Sequence, residues 1–151
     1  MNDIIIYTDG GCSGNPGPGG WAYVVAAGEN EQITGSGHDK QTTNNKMELK
    51  AVIESLHYIK AAYPSGLRAV HVHTDSQYVK NGITTWIHAW IRNGWKTAAK
   101  KPVKNKELWI DLKAISDQLP VRWHWVKGHA GVELNELCDS LVQEQIAVAK
   151  N

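Results

Sequence analysis

The chain has 151 residues, 42% of them hydrophobic, and a formal net charge of +1. That size and composition suit one compact globular domain over residues 1–151. No run of 18 apolar residues occurs, which excludes a membrane-spanning helix, and Cys12 and Cys138 are too few for a disulfide framework.

The first residues carry no basic stretch before their apolar run, so they read as a strand and not as a signal peptide. Residues 4–8 are apolar and β-branched and meet a turn at Asp9-Gly10-Gly11. Residues 14–20 hold Pro16 and Pro18 among glycines and read as a tight connector. Residues 21–27 predict a second strand, and residues 32–38 a weaker third, broken by Gly35 and Gly37. From Asn45 the spacing of Leu49, Val52, Ile53, Leu56 and Ile59 predicts a helix, with Asn45 as its cap and Pro64-Ser65-Gly66 after its end. Residues 69–74 alternate Val70 and Val72 against His71 and His73, a fourth strand ending at Asp75. His71 and His73 offer no ligand triad and read as packing residues.

Residues 76–92 predict one or two short helices interrupted near Gly82, and residues 94–102 a loop. Leu108, Leu112 and Ile115 mark a further helix, residues 121–126 a fifth strand, and residues 128–131 a glycine-flanked loop. Residues 134–148 form a terminal amphipathic helix. The order β-β-β-α-β-α-α-β-α predicts an α/β domain with a mixed sheet and helices on its faces.

Charge is unevenly placed. Residues 76–106 hold seven basic residues and no acidic one, against a net of −6 for the rest. Such a segment is either a solvated surface or a docking strip for an anionic partner.

Four carboxylates fall at or near predicted element ends: Asp9, Glu48, Asp75 and Asp139. Ligand sites gather at strand ends in sheet-plus-helix domains. Carboxylates meeting there would repel until cations neutralise them, and Mg²⁺ accepts such oxygen ligands. Each also has an ordinary alternative. Asp9 suits a turn, Glu48 a capping box, Asp75 a helix cap and Asp139 an exposed helix charge.

The local sequences add a resemblance. Thr8-Asp9-Gly10-Gly11-Cys12-Ser13-Gly14-Asn15-Pro16-Gly17-Pro18-Gly19-Gly20, Thr42-Thr43-Asn44-Asn45-Lys46-Met47-Glu48-Leu49, Thr74-Asp75-Ser76-Gln77-Tyr78-Val79, and Trp125-Val126-Lys127-Gly128-His129-Ala130-Gly131 followed by Asn135-Glu136 and Cys138-Asp139 resemble the motifs of bacterial type-one ribonuclease H, in order and spacing. The resemblance spans nearly the whole chain. It implies the ribonuclease H-like fold: a five-stranded mixed sheet, strands one to three antiparallel, with helices on both faces. It implies an endonuclease acting on the RNA strand of RNA–DNA hybrids and leaving 5′-phosphate and 3′-hydroxyl ends. Asp9, Glu48, Asp75 and Asp139 would ligate two Mg²⁺ ions with substrate bound, with Mn²⁺ as a substitute, and His129 would assist from its loop. Cys12, Asn15, Asn44, Asn45 and Gln77 would lie along the minor groove. Thr43 and Asn105 would form a DNA-phosphate pocket, and Trp86, Lys100, Lys101 and Lys104 would hold the DNA strand. Trp90, Trp95 and Trp109 would be mostly structural.

A starting Met and a complete terminal helix suit a stand-alone enzyme, expected as a monomer, and two cysteines suit a reducing cytoplasm. The competing readings are a non-catalytic hybrid-binding module, which would not need the four carboxylates, and another nuclease on the same fold.

Overall fold

The computed structural model describes residues 2–27, 31–126 and 133–151. Three strands open the chain: β1 (Asn2–Cys12), β2 (Gly17–Ala26) and β3 (Gln32–Thr42). Helix α1 (Asn44–Ala62) follows, then β4 (Leu67–Thr74), α2 (Gln77–Asn81), a π-helical turn (Gly82–Trp86), α3 (Ile87–Arg92), α4 (Lys106–Asp117), β5 (Val121–Trp125) and α5 (Glu133–Lys150). The five strands form one sheet in the order β3-β2-β1-β4-β5. β1–β2 and β2–β3 pair antiparallel, whereas β1–β4 and β4–β5 pair parallel. No helix among the described residues is long and apolar enough to cross a membrane.

Alternation along the strands gives the sheet two apolar faces. Ile4, Ile6, Tyr23, Val25, Val70 and Val72 join Leu49, Val52, Ile53, Leu56 and Ile59 of α1 in the main core, together with Trp109, Leu112 and Ile115 of α4. On the other face Ala22 and Val24 meet Cys138, Val142 and Ile146 of α5. Each fully buried aliphatic side chain stabilises the fold by about 1.5–3 kcal/mol. Helices therefore cover both faces, as the resemblance implied.

Several boundaries differ from the sequence reading. β1 runs on to Cys12, pairing Gly11 with Gly20 and Cys12 with Gly19, and β2 begins at Gly17. The Pro-Gly segment read as a connector is thus half strand. Its Gly20 serves the close approach of α5: a Cβ there would lie 2.7 Å from Gln145 Cβ and 2.9 Å from the Val142 carbonyl oxygen. Helix α1 is capped by Thr43, whose Oγ1 accepts from Lys46 N at 3.2 Å, and not by Asn45. Residues 76–92 form a nearly continuous helix. Its break at Gly82 is a π-bulge, a device often found beside functional sites.

Candidate active site

The central strands carry the acidic residues to one place. Asp9 is not in a turn. It lies within β1 opposite Ala22, is 5% exposed, and accepts from Gly10 N at 2.9 Å. Asp75 follows the end of β4, and the cap of α2 is its neighbour: Ser76 Oγ accepts from Val79 N at 3.1 Å. Glu48 sits in the second turn of α1, too far from the Thr43 cap to close a capping box. Gly10 lets α1 approach β1 closely; a Cβ there would collide with the Met47 carbonyl carbon and lie 2.6 Å from Glu48 N.

Asp9, Glu48 and Asp75 each bring a carboxylate oxygen within 4.8 Å of the others. They line one open cavity of about 470 Å³ with Asn44, Asn45, Ser76, Gln77, Tyr78, Asp139 and Gln143. Asp139 stands on the α5 wall of that cavity, outside the tight group of three. Burial, and then the charges of Asp9 and Asp75, push the Glu48 carboxyl well above the usual carboxylate range. Glu48 Oε2 is fully buried and has no hydrogen-bond partner among the described residues. Three crowded carboxylates and an orphaned buried oxygen make an all-oxygen donor set that fits a hard divalent cation. Such a cation would relieve both the repulsion and the missing partner.

Beside the cluster, Cys12, Asn15 and Asn44 interlock. Asn44 Oδ1 accepts from Cys12 N at 2.9 Å, and Asn15 Oδ1 accepts from Asn44 N at 3.2 Å. Burial pushes the Cys12 thiol upward, so it acts here as a weak donor toward the Gly14 carbonyl oxygen at 2.6 Å. Cys138, next to Asp139, is buried, and burial beside the carboxylates raises its thiol strongly. Both cysteines are free thiols.

Thr43 spends its hydroxyl on the α1 cap, while Asn105, in the left-handed region at φ 60°, donates from Nδ2 to the Tyr78 hydroxyl at 3.0 Å. Trp86 is 38% exposed, whereas Trp109 is fully buried and donates from Nε1 to the same Tyr78 hydroxyl at 3.0 Å. Lys100, Lys101 and Lys104 are exposed in the segment between α3 and α4. His129 lies outside the described residues. The sequence reading missed Tyr78 and Gln143. Helical spacing points to both, since they stand three residues after Asp75 and four after Asp139 on elements that line the cavity.

Carboxylates gathered from β1, α1 and the end of β4 of a mixed sheet make a donor set of the kind that metal-dependent hydrolases of phosphoryl groups use. The family model for RNase H matches residues 1–147, and the chain belongs to the ribonuclease H family, whose members are metal-dependent endoribonucleases. Similar curated proteins include a ribonuclease H of Ehrlichia chaffeensis, 53% identical over 97% of this chain and 96% of its own length. A ribonuclease H of Treponema pallidum is 52% identical over 93% of this chain and 89% of its own. Among solved structures, LC9-RNase H1 superposes with a TM-score of 0.85 at 31% identity, covering 99% of this chain and 74% of that one. LC11-RNase H1, solved in complex with an RNA/DNA hybrid, gives 0.74 at 26% identity, covering 98% of this chain and 99% of that one.

Proposed function

We propose that the protein is a single-domain, monomeric, cytoplasmic endonuclease that hydrolyses the RNA strand of RNA–DNA hybrids, leaving 5′-phosphate and 3′-hydroxyl ends. The observation that carries this reading is the convergence of Asp9, Glu48 and Asp75 within 4.8 Å, in a cavity shared with Asp139, Asn44, Asn45 and Gln77. The hybrid bound to LC11-RNase H1 supports the choice of substrate.

Asp9, Glu48, Asp75 and Asp139 would hold two Mg²⁺ ions, with Mn²⁺ able to replace them. The chemistry supplied with the cations bound is activation of water on one side of the scissile phosphate and stabilisation of the leaving oxygen on the other. Asn44, Asn45 and Gln77 offer amides beside that cavity, where the RNA 2′-hydroxyl distinguishes the two strands. Cys12 and Asn15 buttress Asn44. Thr43 and Asn105 contact the DNA phosphate, and Trp86 with Lys100, Lys101 and Lys104 grips the DNA strand further out. His129 carries a proton to or from the site.

The test uses an end-labelled RNA strand paired with DNA, paired with RNA, or alone, with Mg²⁺ and with EDTA. Cleavage of only the hybrid in Mg²⁺, with 5′-phosphate ends, is the expected result. Hybrid binding without cleavage in either Mg²⁺ or Mn²⁺ would replace this reading by a non-catalytic binding module.

A further inference from the structure

On the sheet side opposite α1, α5 packs on β1, β2 and β3. Beyond it, β4 and β5 present three imidazoles. Val70 and Val72 point into the main core, so His71 and His73 point to the other face, and His73 pairs across the sheet with His124. His71 Nδ1 and His124 Nε2 share a hydrogen bond of 2.8 Å. His73 stacks on His124 at 4.6 Å between ring centroids and on Tyr7 at 4.5 Å. We propose that His71 and His124 form a second metal site, separate from the carboxylate cavity, that takes a borderline cation such as Zn²⁺ or Ni²⁺.

Two features beyond proximity support it. The first is the surroundings of the rings. The Asp3 carboxylate lies 3.8 Å from His71 Nε2 and is itself gripped by Arg68, with contacts of 2.8 and 2.6 Å. At this distance the carboxylate acts on the ring by its charge and not by a hydrogen bond, favouring a proton on Nε2 and leaving the other nitrogen with its lone pair. That other nitrogen of His71 is Nδ1, the atom facing His124. The His73 ring, anchored by Nδ1 to the Ile6 carbonyl oxygen at 3.2 Å, sets the plane of His124 from the far side.

The second is the span. Two imidazole nitrogens bound at about 2.1 Å stand ~3.0 Å apart in a right-angle site and ~3.4 Å apart in a tetrahedral one. A divalent ion would replace the proton of the 2.8 Å His71 Nδ1–His124 Nε2 hydrogen bond, with His124 carrying its proton on Nδ1 instead, and would need only a small swing of His124, which is exposed. Water completes the shell. Imidazole nitrogen selects Zn²⁺, Ni²⁺ or Cu²⁺ over Mg²⁺, so this site and the carboxylates draw on different ions. A bound ion would fasten edge strand β5 to β4 and stabilise the folded chain by mass action.

The experiment titrates Ni²⁺ into the full chain, carrying no polyhistidine tag, by calorimetry at neutral pH with excess Mg²⁺, and records the thermal midpoint alongside. The expected result is a chelating Ni²⁺ site that raises the midpoint. His71→Ala and His124→Ala should each weaken it at least about tenfold by removing chelation and abolish the rise. Asp9→Asn and His57→Ala should retain it. Binding in either His71→Ala or His124→Ala equal to the unsubstituted chain, or no Ni²⁺ binding by the unsubstituted chain, would overturn the proposal. Retention of the site in Asp9→Asn would keep this inference apart from the fate of the nuclease reading.

Discussion

At the scale of single residues, the site is dominated by charge crowding. Asp9 is almost fully buried within 4.8 Å of two other carboxylates. Asp9→Asn keeps the shape and removes one charge. Hybrid binding should persist while kcat falls by at least ~10²-fold, the upper range for disturbing a metal site's supporting shell. Full turnover in that variant, in a single-turnover assay, would remove the carboxylates from the chemistry. Glu48 gives a second expectation, about pH. Its carboxyl is raised in the folded chain above the ordinary 4.5. Between those two values the folded state holds more protons than the unfolded one, so stability falls as pH rises through the window. The metal-free protein should therefore lose thermal midpoint from about pH 4.5 upward by this contribution, and Glu48→Gln should flatten that decline. Identical pH profiles for the two proteins would mean Glu48 is not under strain. The sequence pointed to all four carboxylates because motif and element-end position coincide. It left the turn and cap readings of Asp9, Glu48 and Asp75 open, because these depend on where a strand ends and which neighbour caps. Thr43 and Ser76 took the caps, and β1 ran through Asp9.

At the scale of elements, strand lengths were the least legible feature. Glycines and prolines between residues 14 and 20 carry turn signals locally, yet Gly17, Gly19 and Gly20 pair in the sheet, and at Gly20 α5 requires a surface without a side chain. That requirement comes from a helix more than a hundred residues later and leaves no local trace. The histidine cluster was hidden for the same reason: His71 and His124 are 53 residues apart. Helix α1 was legible because its apolar spacing is regular over many turns. The π-bulge at Gly82 yields a prediction at this scale. Gly→Ala in a helix ordinarily stabilises by about 0.5–1 kcal/mol. Here the added Cβ would collide with the six-membered ring of Trp109, which is fully buried and held by Tyr78. Gly82→Ala should therefore destabilise by about 1–3 kcal/mol, the usual range for overpacking a core. Urea unfolding measures it, and a variant as stable as the parent would mean the helix can shift without disturbing Trp109.

At the scale of the whole molecule, charge is separated along the chain. The seven basic residues between positions 76 and 106 belong to α2, α3, the exposed segment after it and the first residue of α4. Positive φ at Trp95 and Lys100, a bridge between Lys96 and Pro102, and the bond from Lys100 N to the Thr97 carbonyl oxygen at 2.9 Å give that segment a defined shape. Its lysines project from a folded protrusion, while the remaining chain is net negative and would repel a polyanion. Substrate should therefore approach along this side, and the phosphates it meets should release counterions in proportion to the contacts made. Replacing Lys100, Lys101 and Lys104 by Ala should weaken hybrid binding. It should also lower the slope of log affinity against log salt concentration by up to about one unit per lost phosphate contact. Because these side chains are exposed and none of them lines the carboxylate cavity, kcat at saturating hybrid should stay near the parent value, with the loss carried by KM. A salt slope equal to the parent's would mean that the protrusion does not hold substrate and that its charge serves only solubility. A fall in kcat without any change in slope would instead mean that the protrusion shapes the carboxylate cavity through Tyr78, which joins Asn105 at its base to the wall of the site.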